Sequence, residues 1–252
     1  MRGCVCLSLT GLISCCTVVT ATETSHWPIV MADAAYSERR LRVPEPMVYD
    51  LVRPLGVRRG EMEVNALFDI NPQTGQIGWA PELELGVADG LAMELELPFD
   101  NLQQTRHKVA LQKTLEIRPE HGDARGWQVL VDYHKHHRQY AMDATYLHAQ
   151  RWTDAWSSLS MLGLRLHEVR GQRNMATLIN NTMFYDVSDK LTLGLELNHQ
   201  VSRGGTWRYR ATPQLHYDLS PRYTAQLGWG YSNLHGAKKE EMLWSIRLIR
   251  VF

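Results

Sequence analysis

Cysteine is absent from the body of the chain: Cys4, Cys6, Cys15 and Cys16 all fall in the first segment, and none follows. A secreted fold stapled by disulfides is thereby excluded. A cysteine-free exported chain fits the bacterial envelope, where a free thiol is exposed to oxidation. A surplus of either charge is also missing, because Lys+Arg and Asp+Glu both number 27. Without a basic excess, nothing points to nucleic acid as a partner. Beyond the first segment there is no apolar run of the roughly 18 residues that a transmembrane helix needs. Phe is scarce, at 4, against 8 Trp and 10 Tyr. Mean hydropathy is negative, which argues against a helical membrane protein. It does not argue against a β-barrel, whose alternation averages out along the chain.

Met1–Ala21 reads as a secretory signal. Arg2 is the positive start, Cys4–Val19 the apolar body, and Val19-Thr20-Ala21 the small residues before cleavage. Leu12-Ile13-Ser14-Cys15 is a rival site of lipoprotein type, with Cys15 as the lipidated residue. The plain signal is favoured because a spanning barrel needs no lipid anchor. A buried N-terminal helix fits less well, given the charge-free body and the Pro28 that soon follows. Residues 22–60 show no period. Pro28, Pro44, Pro46 and Pro54 interrupt them, and Arg39, Arg40, Arg42, Arg53, Arg58 and Arg59 make them basic. Two readings stand: an extended periplasmic lead-in, or a plug drawn into a barrel mouth by acidic residues.

The most ordered pattern lies between Gln76 and Phe99. Ile77, Trp79, Leu83, Leu85 and Val87 occupy one parity, and Glu82, Glu84 and Gly86 the other. After Ala88-Asp89-Gly90 the alternation resumes, with Leu91, Met93, Leu95, Leu97 and Phe99 against Glu94 and Glu96. Successive side chains of a strand point to opposite faces, so these are two amphipathic arms of a hairpin. Paired residues share a face. Parity therefore predicts Val87 opposite Leu91, a three-residue loop with Gly90 left-handed, and Glu84 opposite Glu94 and Glu82 opposite Glu96. Like charges directly opposite destabilise a sheet, so that face must be wet or meet cations from elsewhere. One face wants hydrocarbon and the other water. A transmembrane barrel with a polar interior supplies both; an amphipathic sheet in a soluble sandwich is the weaker alternative.

From Glu61, strand-like runs recur over residues 61–252. They are Glu61–Ile70, 76–87, 91–99, His107–Ile117, Gly126–His136, Arg138–Gln150 and Ala155–Leu166, then Met175–Asp186, Lys190–Val201, Thr206–Asp218, Arg222–Tyr231 and Glu240–Phe252. About twelve strands of about ten residues suit an outer-membrane barrel. Links such as 88–90, 187–189 and 219–221 are tight, whereas 101–106, 167–174 and 232–239 are longer and polar, as outer-membrane barrels require. Near the end, Trp207, Tyr209, Ala211, Pro213, Leu215 and Tyr217 alternate with Arg208, Arg210, Thr212, Gln214 and His216. Pairing across Pro221 predicts Tyr217 beside Tyr223 and Tyr209 beside Tyr231. Aromatics at both ends of an aliphatic band are what two lipid–water interfaces select. Pro213 cannot donate to a ladder and predicts a bulge. The chain ends on alternating Trp244, Ile246, Leu248 and Phe252, which resembles the assembly signal of bacterial outer-membrane barrels, with Arg250 where an aromatic is more usual. The expected partners are outer-membrane lipid and, through Phe252, the barrel-assembly machinery.

The inward candidates are Glu61, Glu63, Glu82, Glu84, Glu94 and Glu96 on the first three strands, with Arg208, Arg210 and Arg247 from the last ones. Barrel closure predicts Arg247 near Glu61 or Glu63. Two readings are open: a selectivity field with an acidic and a basic wall, or a salt-bridged interior that fills the lumen. With strands about 4.8 Å apart and tilted about 40°, twelve of them enclose a tube roughly 25 Å wide, which long side chains largely fill. His134 and His136 share a strand parity and suit a divalent metal, but no third ligand is evident, and a solvated turn is favoured. His199 and Ser202 suggest the nucleophile–base pair of outer-membrane lipid hydrolases; their spacing of three places them on opposite faces. No cofactor is expected.

Val52-Arg-Pro-Leu55, Arg59-Gly60-Glu61, Pro81-Glu-Leu-Glu-Leu-Gly-Val87, Glu94-Leu-Glu-Leu-Pro98 and Pro213–Pro221 are similar to outer-membrane barrels grouped with the phenol-degradation MetA-pathway proteins. That resemblance implies a porin-like barrel passing small, often hydrophobic solutes, and it brings no catalytic residues. The chain is thus expected to be an all-β, antiparallel transmembrane β-barrel in the bacterial outer membrane. The expected function is passive passage of small solutes, with a filled structural barrel or a lipid hydrolase using His199 as the alternatives.

Overall fold

Alternation and turn chemistry build the wall. The computed structural model describes residues 41–169, 172–234 and 240–252; the expected signal and the first half of the expected extension lie outside them. The long strands are β1 (Met62–Ile70), β2 (Ile77–Ala88), β3 (Leu91–Glu96), β4 (Arg106–Arg118), β5 (Asp123–His134) and β6 (Gln139–Arg151). They continue as β7 (Trp156–Val169), β8 (Gln172–Asp186), β9 (Leu191–Ser202), β10 (Trp207–Ser220), β11 (Tyr223–Ser232) and β12 (Glu241–Val251). Each pairs antiparallel with its sequence neighbour, and β12 returns to β1 from Glu63↔Val251 to Ile70↔Trp244. The result is a closed 12-strand antiparallel barrel. Closure removes the sheet edges and pairs the backbone of every strand. Among the described residues no helix is long and apolar enough to cross a membrane.

The polarity is inside-out. Leu95 is 45% exposed and Leu193 43%, with Leu85, Met142, Leu162, Leu227 and Leu248 also outward and exposed. The alternate positions carry Glu84, Gln128, Asp143, Asn180, Glu196 and Gln226, all buried. An outer surface with this many exposed aliphatic side chains is of the kind that meets hydrocarbon. Rings mark both rims. Trp156 lies 4.8 Å from Tyr185, the rings tilted at 45°, near the short turns. At the opposite end Trp79 lies 4.4 Å from Phe99, and Tyr133 lies 4.8 Å from Tyr140.

The β2–β3 hairpin has the register that parity requires, with Glu82↔Glu96, Leu83↔Leu95, Glu84↔Glu94 and Leu85↔Met93. Nearer the turn, Ala88 rather than Val87 faces Leu91, because an irregularity between Gly86 and Ala88 absorbs one residue. Gly90 takes a φ of +69°, as the loop demands. Pro98 cuts the third strand short. Phe99–Asp100 then pairs with β2 and folds back on Gln103–Gln104.

Three other expectations are corrected. Tyr217 pairs with Ala225 and Ala211 with Tyr231, because β10 runs on to Ser220, opposite Tyr223, and an irregularity takes up Leu219. The slide is even, so every side chain keeps its face. Pro213 creates no bulge; the β10–β11 ladder simply lapses between Ala211 and Gln214 at unchanged register. The link expected at 167–174 is mostly strand, since Asn174 pairs with His167 and Gln172 with Val169.

The outward polarity yields a test. Leu195, at mid-strand between Met183 and Pro213, faces out. Leu195→Arg should lower the unfolding free energy in lipid vesicles by about 2–4 kcal/mol, read by urea titration. An unchanged value would mean that this face does not meet hydrocarbon.

Candidate functional site in the barrel lumen

Residues 41–58 are basic, proline-broken and without strand or helix. Such a segment cannot satisfy its own backbone, so any buried part must borrow partners. The wall supplies them from its side chains. Glu196 of β9 accepts from the backbone N–H groups of Met47, Val48 and Tyr49 at 2.8, 3.0 and 2.8 Å. Gln128 of β5 accepts from Val52 N–H at 3.1 Å and donates to Asp50 C=O at 2.7 Å. Gln112 of β4 does the same for Arg53, at 3.3 and 2.6 Å. Thr114 accepts from Gly56, and Gly90 N–H donates to Val57 C=O. Each glutamine imitates the paired bonds of a neighbouring strand, so the segment is held as though it were in a sheet.

Apolar contacts reinforce this grip. Val43, Leu51 and Leu55 pack on Leu147, Leu159, Met161 and Phe184. Val52 and Val57 pack on Ala92, Ala110 and Leu130. The cavity left beside Leu51, Leu55 and Leu159 is only about 10 Å³, about the room of a single water. Gly86 permits the closest approach, because a Cβ there would sit 2.0 Å from the Arg58 carbonyl oxygen.

The acidic residues of β1–β3 meet the cations they were expected to need. Arg53 of the segment pairs with Glu63 and stands 3.6 Å from Glu61, 3.6 Å from Glu84 and 3.9 Å from Glu45. Arg247 of β12 reaches Glu82 at 3.2 Å, Glu84 at 3.4 Å, Glu45 at 3.7 Å and the Pro46 carbonyl at 3.2 Å. Lys108 bridges Asp50 and Glu96, each at 2.5 Å. Glu94 is buried. Arg247 thus serves Glu82 and Glu84, not Glu61 or Glu63. The β1–β12 register sets Glu63 opposite Val251 and Arg247 level with Leu67. Arg210 makes a bidentate pair with Asp69 at 2.7 and 2.8 Å. Arg208 is half-buried and donates to the Leu234 carbonyl. Arg165 and Arg151 also find carboxylates, in Asp143 and Asp186. Among the described residues, cations and carboxylates are interleaved along the lumen.

Several anchoring groups escaped sequence reasoning. Glu196, Gln112 and Gln128 look like ordinary lumen polars until the segment is in place. The inner apolar patch had a signal: Val129-Leu130-Val131 and Leu159 to Leu162 are apolar on both parities where a watery lumen predicts alternation. The chemical alternatives find no support. His199 faces outward, stacked on Trp207 at 5.7 Å and accepting its indole N–H, while Ser202 ends the strand on the other parity. His136 falls in an exposed turn, because β5 stops at His134, whose Nε2 lies 3.4 Å from Asp132.

The sequence matches the HAEPLYID-like family over residues 39–249. Among solved structures the barrel is similar to the NanC porin, with a TM-score of 0.63 and 10% identity over 74% of this chain and 98% of that one. It is similar to the KdgM porin, with 0.60 and 9% over 75% and 99%. It is also similar to an outer membrane channel from Pseudomonas putida F1, with 0.57 and 13% over 83% and 100%. At these identities the likeness is one of fold. No curated protein matches.

Glu196→Ala would take the acceptor from three N–H groups, one buried and two part-buried, at about 1–3 kcal/mol for the buried one. Chymotrypsin should then cut after Tyr49, which precedes Asp50, in the folded variant and spare that bond in the wild type. Equal resistance would show that Glu196 does not hold the segment.

Proposed function

The chain belongs to the HAEPLYID-like family, and we propose that it is an outer-membrane channel for small solutes whose own residues 41–58 close the lumen. One observation carries this reading: the segment is held by side chains and packing, and by no ladder of its own. Such a hold is reversible in a way that a wall strand's is not, because withdrawal breaks no inter-strand pairing. The porin fold of the structural neighbours supports a passive route. The resemblance to the phenol-degradation MetA-pathway barrels favours small, often hydrophobic solutes, and the apolar patch on β5–β8 gives such solutes a surface.

With the segment withdrawn, Glu61, Glu63, Glu82, Glu84, Glu94 and Glu96 line the acidic side, while Arg208, Arg210 and Arg247 stay on the wall. Arg53 leaves with the segment, so the open lumen is net acidic there and favours cations. Planar-bilayer recording tests this. The intact chain should stay closed for most of the record. Deletion of residues 41–58 should give a steady, cation-selective conductance. Silence of the deletion variant, folded by heat-modifiable gel mobility, would leave the filled structural barrel as the better reading.

Export and assembly belong to the same proposal. The Phe252 backbone N–H is bonded to Met62 C=O at 2.9 Å, and its ring lies under the Arg250 guanidinium at 4.2 Å. Arg250 also lies 5.5 Å from the Tyr223 ring, so a cation–π contact occupies the place of the more usual aromatic. Phe252→Ala should lower the amount of folded barrel in outer-membrane fractions severalfold. Unchanged assembly would remove the terminal strand as the signal.

A further inference from the structure

The acidic chamber between the segment and β2–β3 holds more carboxylates than its cations serve. Asp50 of the segment and Glu82 and Glu96 of the wall place ligand oxygens within 4.8 Å of one another. Lys108 contacts Asp50 and Glu96, and Arg247 contacts Glu82 from the side of Glu84. Glu94 lies on the same inward row, next to Glu96 and across from Glu84. It is 3% exposed, and its Oε1 has no hydrogen-bond partner. An ionised carboxylate is not left in that condition without a countercharge.

We propose that Asp50, Glu82, Glu94 and Glu96 bind one divalent cation of the calcium class. The donors are all carboxylate oxygens, which suit hard cations and give no preference to zinc or copper. Oxygens on opposite sides of Ca²⁺ stand about 4.6–5.2 Å apart, twice the metal–oxygen distance, and the triad is already that close. Lys108 and a share of Arg247 offset part of the negative charge, and the ion offsets the remainder. The site is completed by Asp50, so the ion clasps the segment to the wall. Its existence does not depend on whether the barrel conducts. Its effect on opening does rest on the closure proposed above.

The test is equilibrium dialysis of the refolded, detergent-held full chain against radioactive Ca²⁺, with Mg²⁺ as competitor. The wild type should bind about one ion per chain. Glu94→Gln should weaken binding about tenfold or more. Asp50→Asn, outside the wall, should do the same with the barrel's heat-modifiable mobility intact. Chelation should expose the bond after Tyr49 to chymotrypsin. No Ca²⁺ bound at millimolar concentration, or unchanged affinity in both folded variants, would overturn the site and leave protons as the neutralising charge. A bound ion in a barrel that never conducts would uphold the site and count against the channel alone.

Discussion

The lumen depends on the meeting of glutamates with two guanidiniums. The β2–β3 register sets Glu82 against Glu96 and Glu84 against Glu94, an arrangement that repels itself in any medium of low dielectric. Arg247 from the last strand and Arg53 from the threaded segment enter between these carboxylates. Neither cation is local in sequence. The first arrives only when the barrel closes, and the second only when the segment enters. The acidic wall therefore gains one of its countercharges only when residues 41–58 are docked, and the segment in turn has its backbone bonded by wall side chains there.

Outside the tube a different solvent is served. Aliphatic side chains cover the middle of every strand and rings gather at both rims. The same chain thus solves two burial problems with opposite rules. Toward lipid, the backbone is satisfied by closure and the side chains are left apolar. Toward the axis, polar side chains do the work of a missing strand, with Gln112, Gln128 and Glu196 each bonding to main chain. An apolar patch on β5–β8 completes the seal.

Much of the wall was legible because strand alternation is a local property. Each run expected from Glu61 onward contains a strand, and the β2–β3 pairs from Glu82↔Glu96 to Leu85↔Met93 agree with the parity of the sequence. Register failed where parity cannot discriminate: a slide by two positions at β10–β11 leaves each face unchanged, so only the turn geometry at Ser220 decides it. Pro213 was readable as a ladder defect, but not as a lapse rather than a bulge. Arg247 was placed inward correctly and given the wrong partners, since its neighbours depend on how far β12 is staggered against β1.

The sequence by itself determined the two faces of the sheet, because the side-chain period of two is written in every strand. It also determined that the inward acids needed cations. Which cations, and at what depth, was settled only by closure and stagger, which bring together residues far apart in sequence, such as Arg247 and Glu82, 165 positions apart. The path of residues 41–58 was likewise decided in three dimensions. A proline-broken segment has no period to read, and its conformation is set by the side chains that surround it.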